Sequence, residues 1–133
     1  MNKCYVFVNR YLGDKQAGIQ SAHAVVRLGQ TGSEEYEIWA NNYETLVLLN
    51  GGDHNRLVDL ARLFGQTSHE IGVFREPGLN DCITAIAFIP NEDMRLQIFE
   101  FNQNPEMMEN PENINSTDDE ICAIITKSRS FGG

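Results

Sequence analysis

The chain has 133 residues, 41% of them hydrophobic and 22% charged, and its formal net charge is −9. This length suits one domain that buries roughly two thirds of its unfolded surface, and no apolar run approaches the roughly 18 residues of a membrane span. The net charge excludes a general nucleic-acid-binding surface, which needs clustered Lys and Arg. The acidity is uneven, because residues 91–133 hold nine acidic and three basic residues, whereas residues 1–30 hold one acidic and four basic residues. The charge distribution therefore still allows a local anion-binding site near the N-terminus.

The cysteines and histidines predict no metal site. Cys4, Cys82 and Cys122 are an odd number at wide spacings, which favours reduced thiols over a disulfide framework, and we expect no catalytic thiolate. His54 and His69 have no partner pattern, and we interpret them as surface or strand-edge residues. The N-terminal residues enter a strand-like pattern without a secretory signal, so we expect a cytoplasmic protein.

Strand and helix signals alternate in the first half of the chain. Residues 3–9, KCYVFVN, are apolar on both faces, which is typical of a strand covered on both sides. Asp14 follows a glycine and predicts a helix start, and the helix runs from about residue 15 to 28. A second, serine-capped helix over residues 33–41 precedes a strand over residues 44–50.

The second half begins with a helix that opens at Asp53 and ends at Gly65. Two strands follow, over residues 68–75 and 82–89. The turn between them contains no helix, so we expect them to be antiparallel. A helix over residues 91–101 completes the predicted domain.

The last segment is less regular. Residues 102–117 are polar and carry two prolines, which predicts a loop, and the following DDEICAIITKSR fits either a short helix or an added strand. We therefore divide the chain into an α/β domain over residues 1–101 and an acidic, partly loop-like extension over residues 102–133. The extension is interpreted as a solvated linker, with mimicry of a phosphate backbone or regulation of access to the site as the alternatives.

The predicted order β-α-α-β-α-β-β-α indicates a three-layer α/β sandwich with a four-stranded mixed sheet, because helical crossovers make neighbouring strands parallel. The first long helix carries Gln16, Gln20, His23 and Arg27 on one polar stripe. This stripe faces either solvent or a cleft. Small residues beside it allow the helix to lie close to the sheet or allow a bulky ligand to approach it.

Three segments together resemble a known family. They are KQAGIQSAHA over residues 15–24, EPGLN over residues 76–80 and CITAIAFIP over residues 82–90. Their sequence and order are similar to those of the type-2 peptidyl-tRNA hydrolases of the archaeal and eukaryotic type, in which a Gln-x-x-His-Ala helix follows the first strand and an Asp-Ala-Gly turn precedes a Thr-rich final strand. The resemblance covers residues 3 to about 100 and implies the same mixed α/β sandwich.

The chain departs from the family pattern, as a divergent member would. Gln16 stands where the family has a lysine, and Lys15 lies one residue earlier, about 100° away around the helix. Glu76 replaces an aspartate. Asn80 and Cys82 stand roughly where the family has threonines, whereas Thr84 aligns only with a later strand position, so the resemblance supports the fold more strongly than the activity.

The resemblance implies hydrolysis of the ester bond between a peptidyl or N-acylaminoacyl group and the 3′ end of tRNA, with no cofactor and no metal. It implies no membrane partner and is compatible with a homodimer. The alternative is a catalytically impaired descendant that binds a nucleotide, a tRNA end or a protein. The expected catalytic residues are Lys15, Gln20, His23 and Glu76. The expected substrate-binding residues are Arg10, Gln16, Arg27, Asn80 and Thr84.

Overall fold

The structure is a computed structural model that describes residues 2–132. Its strands are β1 (Cys4–Asn9), β2 (Leu46–Gly52), β3 (Gly72–Glu76) and β4 (Cys82–Phe88). Its α-helices are α1 (Asp14–Gly29), α2 (Glu34–Asn42), α3 (His54–Gly65), α4 (Glu92–Gln103) and α5 (Thr117–Lys127). Short 3-10 helices span Pro77–Leu79, Pro105–Glu109 and Pro111–Asn113.

The four strands form one mixed sheet in the order β2-β1-β4-β3. β1 pairs in parallel with β2, whereas β4 is antiparallel to both β1 and β3. The predicted order of elements is confirmed through α4, as are the mixed sheet and the antiparallel pairing of the last two strands. The parallel pair follows from the helical crossover through α1 and α2, which returns the chain to the same end of the sheet.

Two strands begin later than predicted, for local reasons. β2 begins at Leu46 because Glu44 has a left-handed backbone, with φ of 59°, which a strand does not allow. β3 begins at Gly72 because the preceding residues form a turn, in which the Thr67 hydroxyl donates to the Phe64 carbonyl and accepts from the His69 N–H. The predicted serine cap of α2 is confirmed, since Ser33 Oγ accepts from Tyr36 N.

Helices cover both faces of the sheet, which gives the three predicted layers. On one face, α3, α4 and α5 bury their apolar sides against β1, β2 and β4. On the other face, α1 and α2 pack against small or β-branched residues of β1 and β4. Gly72 lets α1 lie very close to β3, because a Cβ atom there would fall 2.0 Å from the Ala24 carbonyl oxygen.

The segment DDEICAIITKSR, which the sequence left open between helix and strand, contributes to helix α5 and a short edge pairing follows, so the interpretation of the extension as a solvated linker is wrong for this part of the chain. The buried side chains of α5 join the core formed with α3 and α4; they are Ile121, Cys122, Ala123 and Ile125. After α5, Ser130 forms an antiparallel bridge with Leu49, so residues 129–131 cover part of the free edge of β2. Within residues 2–132, no helix has both the length and the apolar character needed to cross a membrane.

Candidate active site

The candidate site lies at the end of the sheet where β1 and β3 finish and β4 begins. Helix α1 starts at this end, because it follows β1 after a short turn. Two neighbouring pairings are irregular here. Thr84 is an extra residue in β4, because Phe74 pairs with Ala85 and Arg75 pairs with Ile83. Gly51 is likewise extra in β2 opposite β1. Bulges of this kind redirect side chains at the rim of a sheet.

Gln20 is the centre of a polar network between α1 and this rim. Its side chain is buried, with 3% exposure. Gln20 Nε2 donates to Glu76 Oε2 over 2.9 Å, and Gln20 Oε1 accepts from the Thr84 hydroxyl over 3.1 Å. Gln20 Nε2 also lies 3.4 Å from Gln16 Oε1. The carboxylate of Glu76 only accepts hydrogen bonds, so its partner on Gln20 must be the amide nitrogen.

Thr84 supports this network from the interior of the sheet. It is fully buried, and its hydroxyl also lies 3.3 Å from the Phe74 carbonyl oxygen. Because Thr84 is the extra residue of the bulge, its side chain points toward α1 rather than continuing the alternation of β4. The predicted substrate-binding role of Thr84 is therefore indirect in this structure: the hydroxyl positions Gln20 and does not reach the surface.

Glu76 is the half-buried acid of the site. Its Oε1 accepts from Gly78 N over 3.3 Å, which caps the short 3-10 helix Pro77–Leu79. No ion pair within the described residues 2–132 includes Glu76. Each carboxylate oxygen therefore keeps a lone pair that can accept a hydrogen bond from water or a substrate hydroxyl.

His23 and Arg27 extend the site along α1. The imidazole of His23 stacks on the Phe74 ring, with centroids 4.3 Å apart and planes inclined by 12°. The Arg27 guanidinium lies 5.8 Å from the centroid of the same ring. His23 thus reaches the network through Phe74, which is two residues before Glu76 in β3, and does not contact Glu76 directly.

Lys15 and Arg10 are outside the hydrogen-bonded network. The Lys15 side chain is exposed and makes no hydrogen bond or ion pair with any residue between 2 and 132. Arg10 donates to the Tyr11 hydroxyl over 2.8 Å, and this hydrogen bond raises the pKa of the guanidinium. The structure therefore brings together Gln16, Gln20, Glu76 and Thr84 of the predicted set. Lys15 lies at the start of the same helix without contacting them.

Asn80 lies in the turn that connects β3 to β4. Asn80 and Asp81 both have left-handed backbones, with φ of 54° and 57°, a conformation that Asn and Asp tolerate better than most residues. The Asp81 carbonyl accepts from Arg75 Nη1 over 3.1 Å. The exposed Asn80 side chain therefore sits on a braced turn directly after the Glu76 segment.

Asn9 and His54 also lie at this rim, although neither was predicted to belong to the site. Asn9 Nδ2 donates to the Ile83 carbonyl over 3.1 Å, and His54 Nδ1 accepts from Ile83 N over 3.0 Å. These two side chains satisfy the peptide groups of Ile83, the residue just before the bulged Thr84. His54, interpreted above as lacking a partner, therefore has one, because its Nδ1 accepts the backbone hydrogen bond of Ile83. The sequence carries one signal for Asn9: it is a polar residue at the end of a buried apolar strand, where side chains at the rim of the sheet are expected.

Two of the three cysteines are buried thiols with raised pKa values. Burial raises the pKa of the Cys4 thiol to about 12 and that of the Cys122 thiol to about 12, so both stay protonated at neutral pH. Both are buried, and Cys82 is half-buried and free.

No family model matches the sequence, and no curated protein matches it. Membership of the peptidyl-tRNA hydrolase family therefore stays a prediction. It rests on the three motif segments described above and on the contacts of the side chains that they supply.

Proposed function

We propose that this chain hydrolyses the ester bond between a peptidyl or N-acylaminoacyl group and the 3′ end of tRNA. The observation that carries the proposal is the buried Gln20 amide, which binds the Glu76 carboxylate and the Thr84 hydroxyl at once. The network joins all three segments that carry the family resemblance, because Gln20, Glu76 and Thr84 each come from one of them. A buried amide with both ends satisfied holds the carboxylate in one orientation.

Glu76 acts as the general base in this proposal. Its free lone pair accepts a proton from a water molecule while the water oxygen attacks the ester carbonyl carbon. The tetrahedral intermediate then collapses by breaking the bond to the ribose oxygen, and the Glu76 carboxyl returns the proton to that leaving oxygen. The products are the free carboxylic acid and the tRNA hydroxyl, so the carboxylate is regenerated.

Lys15 and the first turn of α1 stabilise the oxyanion that develops on the carbonyl oxygen. The N-cap of α1 is Gly13, which has no side chain to occupy the free N–H groups of this turn. Lys15 has no competing partner among residues 2–132, so its ammonium group is free to turn toward the substrate. In this proposal Gln16 and Asn80 supply neutral hydrogen-bonding groups, and Arg27 or Arg10 meets a phosphate of the tRNA.

A second candidate is a binding protein that retains the site without efficient catalysis. One observation favours it: the position nearest to Gln20 on the preceding turn of α1 is occupied by the neutral Gln16, and Lys15 does not contact the network. Loss of one electrostatic group that stabilises a transition state typically costs 10²–10³ in rate.

The test is release of labelled N-acetylaminoacyl groups from charged tRNA by the purified chain. We expect Glu76→Gln to lower kcat by at least about 10²-fold, because glutamine keeps the hydrogen bond to Gln20 but cannot accept the proton. Glu70→Gln, which removes an exposed acid just before β3, is the matched control and should retain wild-type activity. Saturable tRNA binding without hydrolysis would select the second candidate, and absence of both would reject the hydrolase and would exclude tRNA as the ligand of the second candidate.

A further inference from the structure

The His23–Phe74 stack lies on the surface beside the proposed catalytic acid. Phe74 is half-buried and packs against the apolar cluster on the α1 side of the sheet, which fixes its ring. His23 covers one face of that ring at 4.3 Å, and the two planes are nearly parallel. His23 is itself exposed, so the imidazole face opposite Phe74 is open to solvent.

A planar side chain held parallel to a second ring is a suitable platform for a nucleobase. Stacking of a base on an aromatic side chain stabilises binding of single-stranded nucleic acid without requiring a particular base. The Phe74 ring holds the imidazole in place before any ligand arrives, so less side-chain freedom is lost on binding. Arg27, one helical turn beyond His23, adds a cation for a neighbouring phosphate.

The platform and Glu76 lie on the same side of the sheet, against the same helix. Phe74 and Glu76 are two residues apart in β3, and both side chains contact α1, through His23 and Gln20 respectively. Two strand residues span about 6–7 Å. A base stacked on the open face of His23 therefore lies on the same side of the sheet as the Glu76 carboxylate.

We propose that the open face of His23 binds the terminal adenine of the tRNA 3′ end, with Arg27 contacting the phosphate that precedes it. This inference rests on the proposed function for the identity of the nucleotide. It also fixes the direction of the substrate: the nucleotide chain leaves along α1 toward Arg27, and the acyl group points toward the first turn of α1 and Arg10.

The test compares binding of the RNA tetranucleotide ACCA with that of the same RNA lacking its terminal base, measured by calorimetry with the full chain. For the wild type we expect the abasic probe to bind about tenfold more weakly. His23→Ala should bind ACCA about tenfold more weakly and should no longer distinguish the two probes. His23→Phe should restore the discrimination, because phenylalanine keeps the stack. Val26→Ala, an exposed change on the same helix, should behave as wild type.

Discrimination that persists in His23→Ala would overturn the platform, as would failure of wild-type protein to bind ACCA at millimolar concentration. Arg27→Gln should reduce the slope of log affinity against log salt by about 0.7, the value for one phosphate of a single strand. An unchanged slope would overturn the phosphate contact. The probes carry no ester, so binding and hydrolysis are measured separately. If the wild-type protein hydrolyses N-acetylaminoacyl-tRNA but binds ACCA and the abasic probe equally well, only the platform is rejected. Intact discrimination in an inactive protein would reject only the hydrolase.

Discussion

Gln20 and Thr84 are 64 positions apart in the sequence, yet the Thr84 hydroxyl donates to the buried Gln20 amide oxygen over 3.1 Å. The contact exists because Thr84 is the extra residue of a bulge in β4, which turns its side chain toward α1. Glu76 completes the network on the other end of the same amide. The orientation of the proposed base therefore depends on a backbone irregularity in a neighbouring strand.

Thr84→Val tests this dependence directly. Valine has nearly the same shape but no hydroxyl, so the buried Gln20 oxygen loses its donor. We expect the free energy of unfolding to fall by about 1–3 kcal/mol and kcat to fall with it, as Gln20 no longer holds Glu76 in one place. Urea denaturation measures the first effect. Thr126→Val, which removes a hydroxyl bonded within α5, is the control and should change stability by less than about 0.5 kcal/mol.

Gln16→Lys tests whether the neutral residue at this position limits the activity. A lysine there places a cation one helical turn before Gln20, beside the proposed oxyanion. We expect kcat for N-acetylaminoacyl-tRNA to rise by about tenfold or more. Gln30→Lys adds the same charge at the far, exposed end of α1 and should leave kcat unchanged. Equal rates for wild type and Gln16→Lys would contradict the electrostatic role of this position.

The contact between α1 and β3 predicts opposite effects at two glycines. Gly72→Ala should destabilise the protein by more than about 3 kcal/mol, because the new Cβ would lie 2.0 Å from the Ala24 oxygen and 2.5 Å from the Leu28 nitrogen, both backbone atoms. Gly18→Ala, on α1 with no atom within 4 Å of the new Cβ, should stabilise it by about 0.5–1 kcal/mol. Thermal unfolding of the two variants gives the comparison. A stable Gly72→Ala protein would show that α1 and β3 are farther apart than described.

Cys4 predicts a loss of stability at alkaline pH. Burial raises the pKa of its thiol from 9.0 to about 12, so above pH 9 the unfolded chain releases a proton that the folded chain retains. The contribution of Cys4 to the free energy of unfolding is fully present below pH 9. As the pH rises from 9 toward the folded-state pKa of about 12, this contribution should fall by about 1.4 kcal/mol per pH unit.

Cys4→Ala should remove that contribution, so the stability difference between wild type and variant should shrink as pH rises from 9 to 11. Denaturant unfolding at several pH values measures it. Cys82→Ala, a change at a half-buried cysteine, serves as the comparison for loss of a thiol. A wild-type advantage that stays constant over this range would mean that Cys4 ionises equally in both states.

The sequence by itself determined the elements through α4, their order and the covered sheet. Continuous apolar runs at β1 and β4 indicated strands buried on both faces, and helical periodicity placed Gln16, Gln20 and His23 on one side of α1. These signals are local, because each depends on residues within one or two turns of each other. In the structure, Gln20 of this stripe contacts Glu76 of the acidic turn.

Only the tertiary structure decided which side chains touch. The register of β3 against β4 places Phe74 under His23 and Glu76 beside Gln20, and the bulge brings Thr84 to the same amide. A register shift of one residue moves every side chain to the opposite face, and no local pattern in the sequence specifies it. Lys15, in contrast, is next to Gln16 in the sequence, but the 100° step around the helix leaves its side chain outside the network.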